Sequence, residues 1–287
     1  MSSSETAIVS VVNDEFAAAY LVLLSSMLEH NPRFDAPIVV LSEPGGLRPS
    51  YRECLRTVYD RIEFTEAVPR YLRALQDSGQ EVLGTPKRLL AAFLILEAFA
   101  LEGFKRVVCL DADLICMGDL SDLFTCTADF AAVRALEPDT EFPRGFFNSG
   151  VLVIGSRHLA GPTYHDLTLH TRLDGADPKA GKADQALLNR YFYPHRVRWL
   201  PARFNVTKRL FPDTLEDIDA EVERRDVRLL HFVGGKPWTA RRTKRDAGFT
   251  AVEALWHRAC ERYVPDQMVA DLLDLRVRDF ESRLLGG

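Results

Sequence analysis

The sequence has no feature that ties it to nucleic acid, to an oxidising compartment or to a membrane interior. Lysine and arginine total 36 against 41 aspartates and glutamates, a formal charge of −5, whereas nucleic-acid binding by electrostatics needs clustered positive charge. The five cysteines are odd in number and none are spaced as CxxC, so neither a disulfide framework nor a zinc knuckle is indicated. The longest apolar stretch, Leu89 to Leu101, contains Glu97 and is too short for a transmembrane segment.

Two charged or polar stretches bear on where the protein works. Met1 to Thr6 are small and polar, and without a basic stretch followed by an apolar run they predict no secretory signal. Together with reduced thiols, this indicates a cytoplasmic protein. The basic stretch Arg241 to Arg245 is predicted to be a solvated loop. The alternatives are that it closes over phosphates or contacts an anionic acceptor or a peripheral membrane surface. The sequence is compatible with a homo-oligomer.

Short β-branched runs alternate with helical patterns over most of the chain. The strand candidates are Ala7 to Val12, Pro37 to Leu41, Arg61 to Phe64, Lys105 to Leu110, Asp129 to Val133, Phe147 to Ile154 and Arg228 to Val233. Helices are predicted from Phe16 to Leu28 and from Thr85-Pro86 to Gly103. Strands separated by helices predict an α/β fold with a mainly parallel central sheet, whose ligands bind outside the carboxyl ends of the strands.

The chain is predicted to divide near residue 248. Residues 1–248 carry the α/β pattern as one domain, and residues 249–287 form a helical C-terminal extension. In that extension leucines recur among many charges, which favours a docked amphipathic helix pair.

Asp111 and Asp113 directly follow the apolar strand that ends at Leu110. Residues i and i+2 of an extended chain point the same way, and two carboxylates on one side are costly unless a proton or a cation neutralises them. A hard divalent cation such as Mg²⁺ or Mn²⁺ is the natural neutraliser. The alternative is that one aspartate caps the next helix and the other faces water.

A second candidate group lies at the end of the strand that carries His231, which could instead be a core histidine with its hydrogen bonds satisfied. Gly234 and Gly235 come next and allow backbone to approach a ligand closely, and Lys236 is then placed to meet an anion such as a diphosphate. Earlier in the chain Asn148-Ser149-Gly150 opens a strand and Asp184-Gln185 opens a helical run. Each of these pairs alone is a weak signal, since a polar residue before a helix is often a cap.

Taken together and in this order, the four segments resemble glycosyltransferase family 8, which includes glycogenin and bacterial lipopolysaccharide galactosyl- and glucosyltransferases. The segments are Leu110-Asp111-Ala112-Asp113, Phe147-Asn148-Ser149-Gly150-Val151, Asp184 to Asn189 and His231 to Trp238. The resemblance covers about Ala7 to Trp238. It implies a GT-A fold, a nucleotide-sugar-binding α/β sheet and transfer of a hexose with retention of configuration, from a UDP-sugar with Mn²⁺ (or Mg²⁺) to a hydroxyl-bearing acceptor.

The resemblance also implies roles for single residues. As metal ligands it implies Asp111, Asp113 and His231. As donor-binding residues it implies Val12, Asn13, Lys87, Arg88, Asp111, Ala112, Asn148, Ser149, Gly234 and Lys236. As catalytic residues flanking the anomeric carbon it implies Asp184 and Gln185.

The chain departs from the family pattern at two places. Only Gly235 separates Gly234 from Lys236, where the family usually has two residues, so that loop is expected to be tighter. Gly181 stands where glycogenin has an additional aspartate, and no tyrosine is marked as a self-glucosylated acceptor.

Three other functions remain as alternatives. The strand ending in DxD also resembles the nucleophile motif of haloacid-dehalogenase phosphatases, although no later acidic pair follows a strand. A sugar-nucleotide-forming nucleotidyltransferase would need a glycine-rich loop after Val12, which is missing. An inactive GT-A sugar-nucleotide-binding module is the third alternative, against which the complete set of metal ligands argues.

Overall fold

A computed structural model describes residues 5–68, 87–135, 146–171, 183–193, 195–212, 216–239 and 250–285. Its strands are β1 (Thr6–Val11), β2 (Ile38–Ser42), β3 (Ile62–Glu66), β4 (Arg106–Leu110), β5 (Leu114–Cys116), β6 (Phe130–Arg134), β7 (Phe147–Gly155), β8 (Arg198–Leu200), β9 (Val206–Thr207) and β10 (Leu229–His231). Its α-helices are α1 (Ala17–His30), α2 (Pro49–Val58), α3 (Ser121–Phe124), α4 (Pro162–Thr171), α5 (Ala183–Phe192), α6 (Ile218–Arg224), α7 (Thr250–Tyr263) and α8 (Asp266–Leu285). The 3-10 helices are Lys87–Ala100, Ser156–His158, Ala202–Phe204 and Lys208–Leu210.

Seven strands form the central sheet in the order β3-β2-β1-β4-β7-β6-β8. The pairs β1/β2, β1/β4, β2/β3 and β6/β8 are parallel, while β7 runs antiparallel to both β4 and β6. The predicted α/β class with a mostly parallel sheet is therefore confirmed. The exception is β7, an apolar run buried on both faces, whose composition carries no information about direction.

A second sheet of three short strands, β5-β10-β9, lies beside the first. The antiparallel pairing of β5 with β10 places His231 opposite Leu114, and β9 pairs with β10 in parallel. The chain thus leaves the central sheet at the end of β4 and enters the small sheet at β5, with Asp111 to Asp113 between them. The strands β5, β8 and β9 were not predicted, because two or three residues are too few to show a period.

The central sheet is buried on both faces because its residues alternate between two hydrophobic clusters. On one side Ile8, Val108 and Val153 pack with α1 and the small sheet. On the other side Val9 and Leu152 pack with the 3-10 helix Lys87–Ala100 and with α4 and α5. The predicted start of that helix at Thr85-Pro86 lies outside the described residues.

The two C-terminal helices are present as predicted, and α7 packs on α1. Val252, Trp256 and Cys260 of α7 belong to the same hydrophobic cluster as α1. Further along, α8 leaves Leu273 and Phe280 more than half exposed. Within the described residues, no helix combines the length and the apolarity that a bilayer crossing needs. The predicted boundary at residue 248 and the basic stretch Arg241 to Arg245 lie outside these residues.

Candidate functional site

The DxD segment lies where the two sheets meet. The Asp111 N–H donates to the Gly150 carbonyl at 2.9 Å, which ties the end of β4 to β7. The Phe232 N–H donates to the Asp113 carbonyl at 3.0 Å, which ties the same segment to the residue that follows β10. These two backbone bonds hold the aspartates at the carboxyl end of β4 and next to His231.

Asp111, Asp113 and His231 form a compact cluster. His231 Nε2 lies 3.2 Å from Asp113 Oδ1 and 3.5 Å from Asp111 Oδ2, and one ligand atom from each residue lies within 4.8 Å of the others. Asp113 and His231 are 4% and 3% exposed, whereas the Asp111 side chain is 43% exposed. Two carboxylates and one imidazole that converge in this way, with one side open, suit a divalent cation.

Lys236 adds a fixed positive charge next to this cluster. Its Nζ donates to Asp113 Oδ2 and, at 3.0 Å, to the Phe232 carbonyl, and it lies 5.6 Å from the centre of the Phe16 ring. Burial opposes the ionisation of Asp113, but the Lys236 ammonium and His231 together hold the pKa of that carboxyl well below its usual range. Asp113 is therefore an anion at neutral pH.

A chain of side-chain amides orients the His231 ring through Nδ1, the nitrogen that faces away from the aspartates. His231 Nδ1 lies 2.9 Å from Asn205 Oδ1, Asn205 Nδ2 donates to Asn148 Oδ1 at 2.8 Å, and Asn148 Nδ2 donates to Gln185 Oε1 at 3.1 Å. Because the Asn205 side-chain oxygen can only accept, it takes the Nδ1–H of His231, so Nε2 is the ring nitrogen that faces the aspartates and is available to a metal. Sequence reasoning missed Asn205, because its role depends on contacts 26 and 57 residues away.

Gly150 leaves the space in which this arrangement fits. A Cβ at Gly150 would lie 2.4 Å from His231 Cε1, 2.7 Å from His231 Nδ1 and 2.9 Å from Asn148 Oδ1. Any larger residue would therefore displace the imidazole or the amide that orients it. The Gly150 N–H also donates to Asn148 Oδ1 at 2.9 Å. The Asn148-Ser149-Gly150 motif, predicted for the donor, thus also contacts and makes room for His231 of the candidate metal cluster.

Asp184 and Gln185 lie in the first turn of α5, next to β7. The fully buried Asn189 accepts from the Phe147 N–H at 2.9 Å and donates to the Phe147 carbonyl at 2.8 Å, which fixes α5 against the start of β7. Gln185 Oε1 also accepts from the Ser149 N–H at 3.3 Å. The first turn of α5, which carries Asp184 and Gln185, is therefore held next to the Asn148-Ser149-Gly150 segment of β7.

The Asp184 carboxyl differs electrostatically from Asp113. Burial, with the Asp111 carboxylate as a smaller contribution, raises the pKa of Asp184 to about 7; hydrogen bonds from Ser149 and from the backbone oppose this rise. Asp184 is 9% exposed. Carboxyl groups of one site whose pKa values are pushed in opposite directions, as those of Asp113 and Asp184 are, are typical of functional sites.

Five other predicted donor-binding residues fall among the described residues: Val12, Asn13, Ala112, Ser149 and Gly234. The parallel pairing of β1 with β4 brings Val12, which is 1% exposed, to the same sheet edge. Asn13 follows it and accepts at Oδ1 from the Phe16 N–H at 3.1 Å, so its side chain closes the turn that precedes α1. Ala112 and Ser149 are buried, and Gly234 is exposed with φ +77°, a left-handed conformation that favours glycine. Lys87 and Arg88 open a 3-10 helix, but their side chains lie outside the described residues.

Sequence and structure comparisons relate the chain to known glycosyltransferases. It is 30% identical to glycogenin-1 of Mus musculus over 235 residues, covering 79% of this chain and 63% of that protein. It is 27% identical to glycogenin of Neurospora crassa over 260 residues, covering 88% of this chain and 34% of that protein. The chain therefore spans less than two thirds of the length of either relative.

A solved structure shares the fold. The galactosyltransferase LgtC, determined in complex with donor and acceptor sugar analogs, has a TM-score of 0.67 and 20% sequence identity, covering 91% of this chain and 98% of that chain. This likeness identifies the architecture as a GT-A fold. The sequence model of glycosyl transferase family 8 matches residues 7–242, which include every segment of the site. The chain belongs to glycosyl transferase family 8.

Proposed function

We propose that this chain is a retaining hexosyltransferase that uses a UDP-sugar donor and Mn²⁺ and acts on a hydroxyl-bearing acceptor, such as a glycan, a glycolipid or a small molecule. The observation that carries the proposal is the cluster of Asp111, Asp113 and His231 at the carboxyl end of a central strand. Ligands of α/β sheets bind at that edge, and membership of family 8 assigns the chain to glycosyl transfer.

The donor set of the cluster favours Mn²⁺ over Mg²⁺. One imidazole nitrogen joins two carboxylates, and imidazole suits transition metals better than it suits Mg²⁺. His231 is also held from behind by Asn205 at 2.9 Å, as metal-binding histidines usually are. When bound, such a cation would compensate the charge that develops on the diphosphate leaving group.

The side chains around the cluster would divide the remaining work. Lys236, next to Asp113, would offer a preoriented positive charge to the departing diphosphate. Asp184 and Gln185 would flank the anomeric carbon and stabilise its oxocarbenium-like charge. We favour a front-face displacement. The bond between the anomeric carbon and the diphosphate oxygen would break, the acceptor hydroxyl would bond to that carbon on the same face, and the departing UDP oxygen would take the hydroxyl proton. A covalent glycosyl intermediate on Asp184 is the alternative.

Two competing functions are weaker. A haloacid-dehalogenase phosphatase is not supported by the match to family 8 or by the likeness to a galactosyltransferase fold. An inactive sugar-nucleotide-binding module would not need the complete cluster of two carboxylates and a histidine.

The proposal is tested by incubating the protein with UDP-glucose and UDP-galactose in Mn²⁺ and following the sugars by proton NMR. Retaining transferases hydrolyse their donor slowly when water replaces the acceptor, so we expect UDP and a hexose whose first-formed anomer is α. A β-anomer would contradict retention. Hydrolysis of a phosphomonoester such as p-nitrophenyl phosphate, in a separate assay, would indicate the phosphatase, and UDP binding without consumption of either donor would indicate the inactive module. A parallel sample with EDTA shows the dependence on metal.

A further inference from the structure

Lys208, which the site described above does not use, is a buried charge in the 3-10 helix Lys208–Leu210. It is 0% exposed. Its Nζ donates to the Gly235 carbonyl at 2.5 Å and pairs with Glu253 Oε1 at 3.0 Å. Glu253 is 6% exposed and lies in the first turn of α7. Taking two charges out of water is expensive, and apolar residues could fill the same volume with equal or better stability. The pair therefore calls for a reason other than stability.

The Gly235 carbonyl, which accepts the hydrogen bond from Lys208, indicates why the buried pair is present. Gly235 lies between Gly234, whose backbone is left-handed and exposed, and Lys236, whose Nζ reaches Asp113. We call residues 234–236 the glycine loop. A backbone with two consecutive glycines has many conformations of similar energy. The charge-assisted bond from Lys208 to the Gly235 carbonyl selects one of them.

A second contact from α7 holds the far end of the same segment. Trp238, two residues beyond Lys236, lies with its ring centre 5.0 Å from that of Trp256 and 5.7 Å from that of Phe16. Glu253 and Trp256 are three residues apart and so share one face of α7. This face therefore supports the glycine loop at Gly235, through Lys208, and contacts Trp238 directly, two residues beyond the loop.

We propose that Lys208 and Glu253 are positioning residues for the donor diphosphate, and that α7 is thereby a working part of the donor site. The inference rests on the function proposed above. Lys208 holds the glycine loop so that Lys236 and the loop N–H groups face a nucleoside diphosphate, and Glu253 holds the Lys208 ammonium in place. Neither residue touches the donor or any of the three proposed metal ligands in the contacts described.

The test separates positioning from a merely structural role by removing both charges at once. In the double variant Lys208→Met, Glu253→Gln the side chains keep their approximate volume and no ion remains without its partner, so the melting temperature is expected to stay near that of the wild type. The Lys208 bond to the Gly235 carbonyl is nevertheless lost. We expect calorimetry in saturating Mn²⁺ to show UDP bound about tenfold more weakly, with the affinity for Mn²⁺ alone unchanged.

The matched control is an exposed ion pair on the same helix. Arg258 of α7 pairs with Asp219 at 2.6 Å, and both side chains are more than half exposed. The double variant Arg258→Met, Asp219→Asn should bind UDP as the wild type does. If Lys208→Met, Glu253→Gln does not fold, the fully apolar double variant Lys208→Met, Glu253→Met replaces it, because apolar residues of similar volume can fill the space of a buried ion pair without loss of stability; a weaker UDP affinity at unchanged Mn²⁺ affinity is again the expected result.

The outcomes are distinct. UDP affinity of the charge-free variant equal to that of the wild type would overturn the positioning role while leaving the proposed function intact. Failure of the wild type itself to bind UDP in Mn²⁺ would overturn the proposed function, and this inference with it. Equal losses in the Lys208/Glu253 variant and in the Arg258/Asp219 control would assign α7 a general structural role and would also overturn the inference.

Discussion

Replacing Asp113 with asparagine is expected to lower kcat/KM for the release of UDP from a UDP-hexose about a thousandfold. Asp113 is 4% exposed and its carboxylate contacts both His231 and Lys236. The substitution removes a charge from the metal cluster and leaves Lys236 facing a neutral amide. Compensation of charge by a metal site contributes several kcal/mol to such reactions, and each 1.4 kcal/mol is a factor of ten in rate.

Asp119→Asn is the control for this variant. Asp119 lies six residues further along the chain and is exposed, and its carboxylate accepts from the Ser121 N–H at 3.1 Å and from the Ser121 hydroxyl at 2.6 Å. It contributes nothing to the metal cluster, so turnover should remain within about twofold of the wild type. Turnover of Asp113→Asn within tenfold of the wild type would show that the reaction does not depend on this cluster.

Replacing Asp184 with asparagine is expected to lower kcat at least about a hundredfold while leaving the affinity for UDP and Mn²⁺ nearly unchanged. In the proposed function, Asp184 acts on the sugar rather than on the diphosphate. Asparagine has almost the same shape but cannot carry a negative charge beside the anomeric carbon. Steady-state kinetics measures the loss of kcat, and UDP calorimetry measures any change in UDP affinity. An equal loss of UDP affinity would assign Asp184 to donor binding instead.

The same substitution is expected to change how stability depends on pH. The pKa of Asp184 is about 7 in the folded protein against an ordinary value of 3.8, so between these pH values the folded state holds a proton that the unfolded state has released. Stability therefore falls as pH rises from about 4 to about 7, by at most about 4 kcal/mol. Asp184→Asn lacks this contribution and should lose less stability over that range.

Urea denaturation in EDTA at pH 5 and pH 8 measures this difference. From pH 5 to pH 8 the unfolding free energy of the wild type should fall more than that of Asp184→Asn, so the variant should be more stable relative to the wild type at pH 8 than at pH 5. Asp166→Asn is the control, because Asp166 is exposed and contacts the same helix through the Tyr191 hydroxyl at 3.1 Å. Parallel pH dependences for Asp184→Asn and the wild type would contradict the raised pKa.

Much of the metal side of the site could be predicted from the sequence, because it depends on local signals. Asp111 and Asp113 follow an apolar strand, and the carboxyl ends of parallel strands meet at one edge of the sheet. His231 ends another apolar run. The order of four short motifs then identified the family, and the structure brings Asp111, Asp113 and His231 within ligand distance of one another.

The supporting residues could not be predicted, because their roles depend on contacts distant in the sequence. Asn205 serves His231 through a partner 26 positions away, and Lys208 meets Glu253 at a separation of 45 positions. A lone asparagine or lysine in such a sequence is ordinarily a surface residue. The strand β5 was missed because three residues show no period, although it is this strand that pairs with β10 and brings His231 to the DxD segment.

We propose above that Asp111, Asp113 and His231 hold a cation through which the donor diphosphate binds. Calorimetry of the wild-type protein tests this most directly. UDP is titrated once in EDTA and once in saturating Mn²⁺. We expect UDP to bind at least about tenfold more tightly in Mn²⁺ than in EDTA, because the bound cation would contact the diphosphate. The same UDP affinity in EDTA and in Mn²⁺ would contradict it.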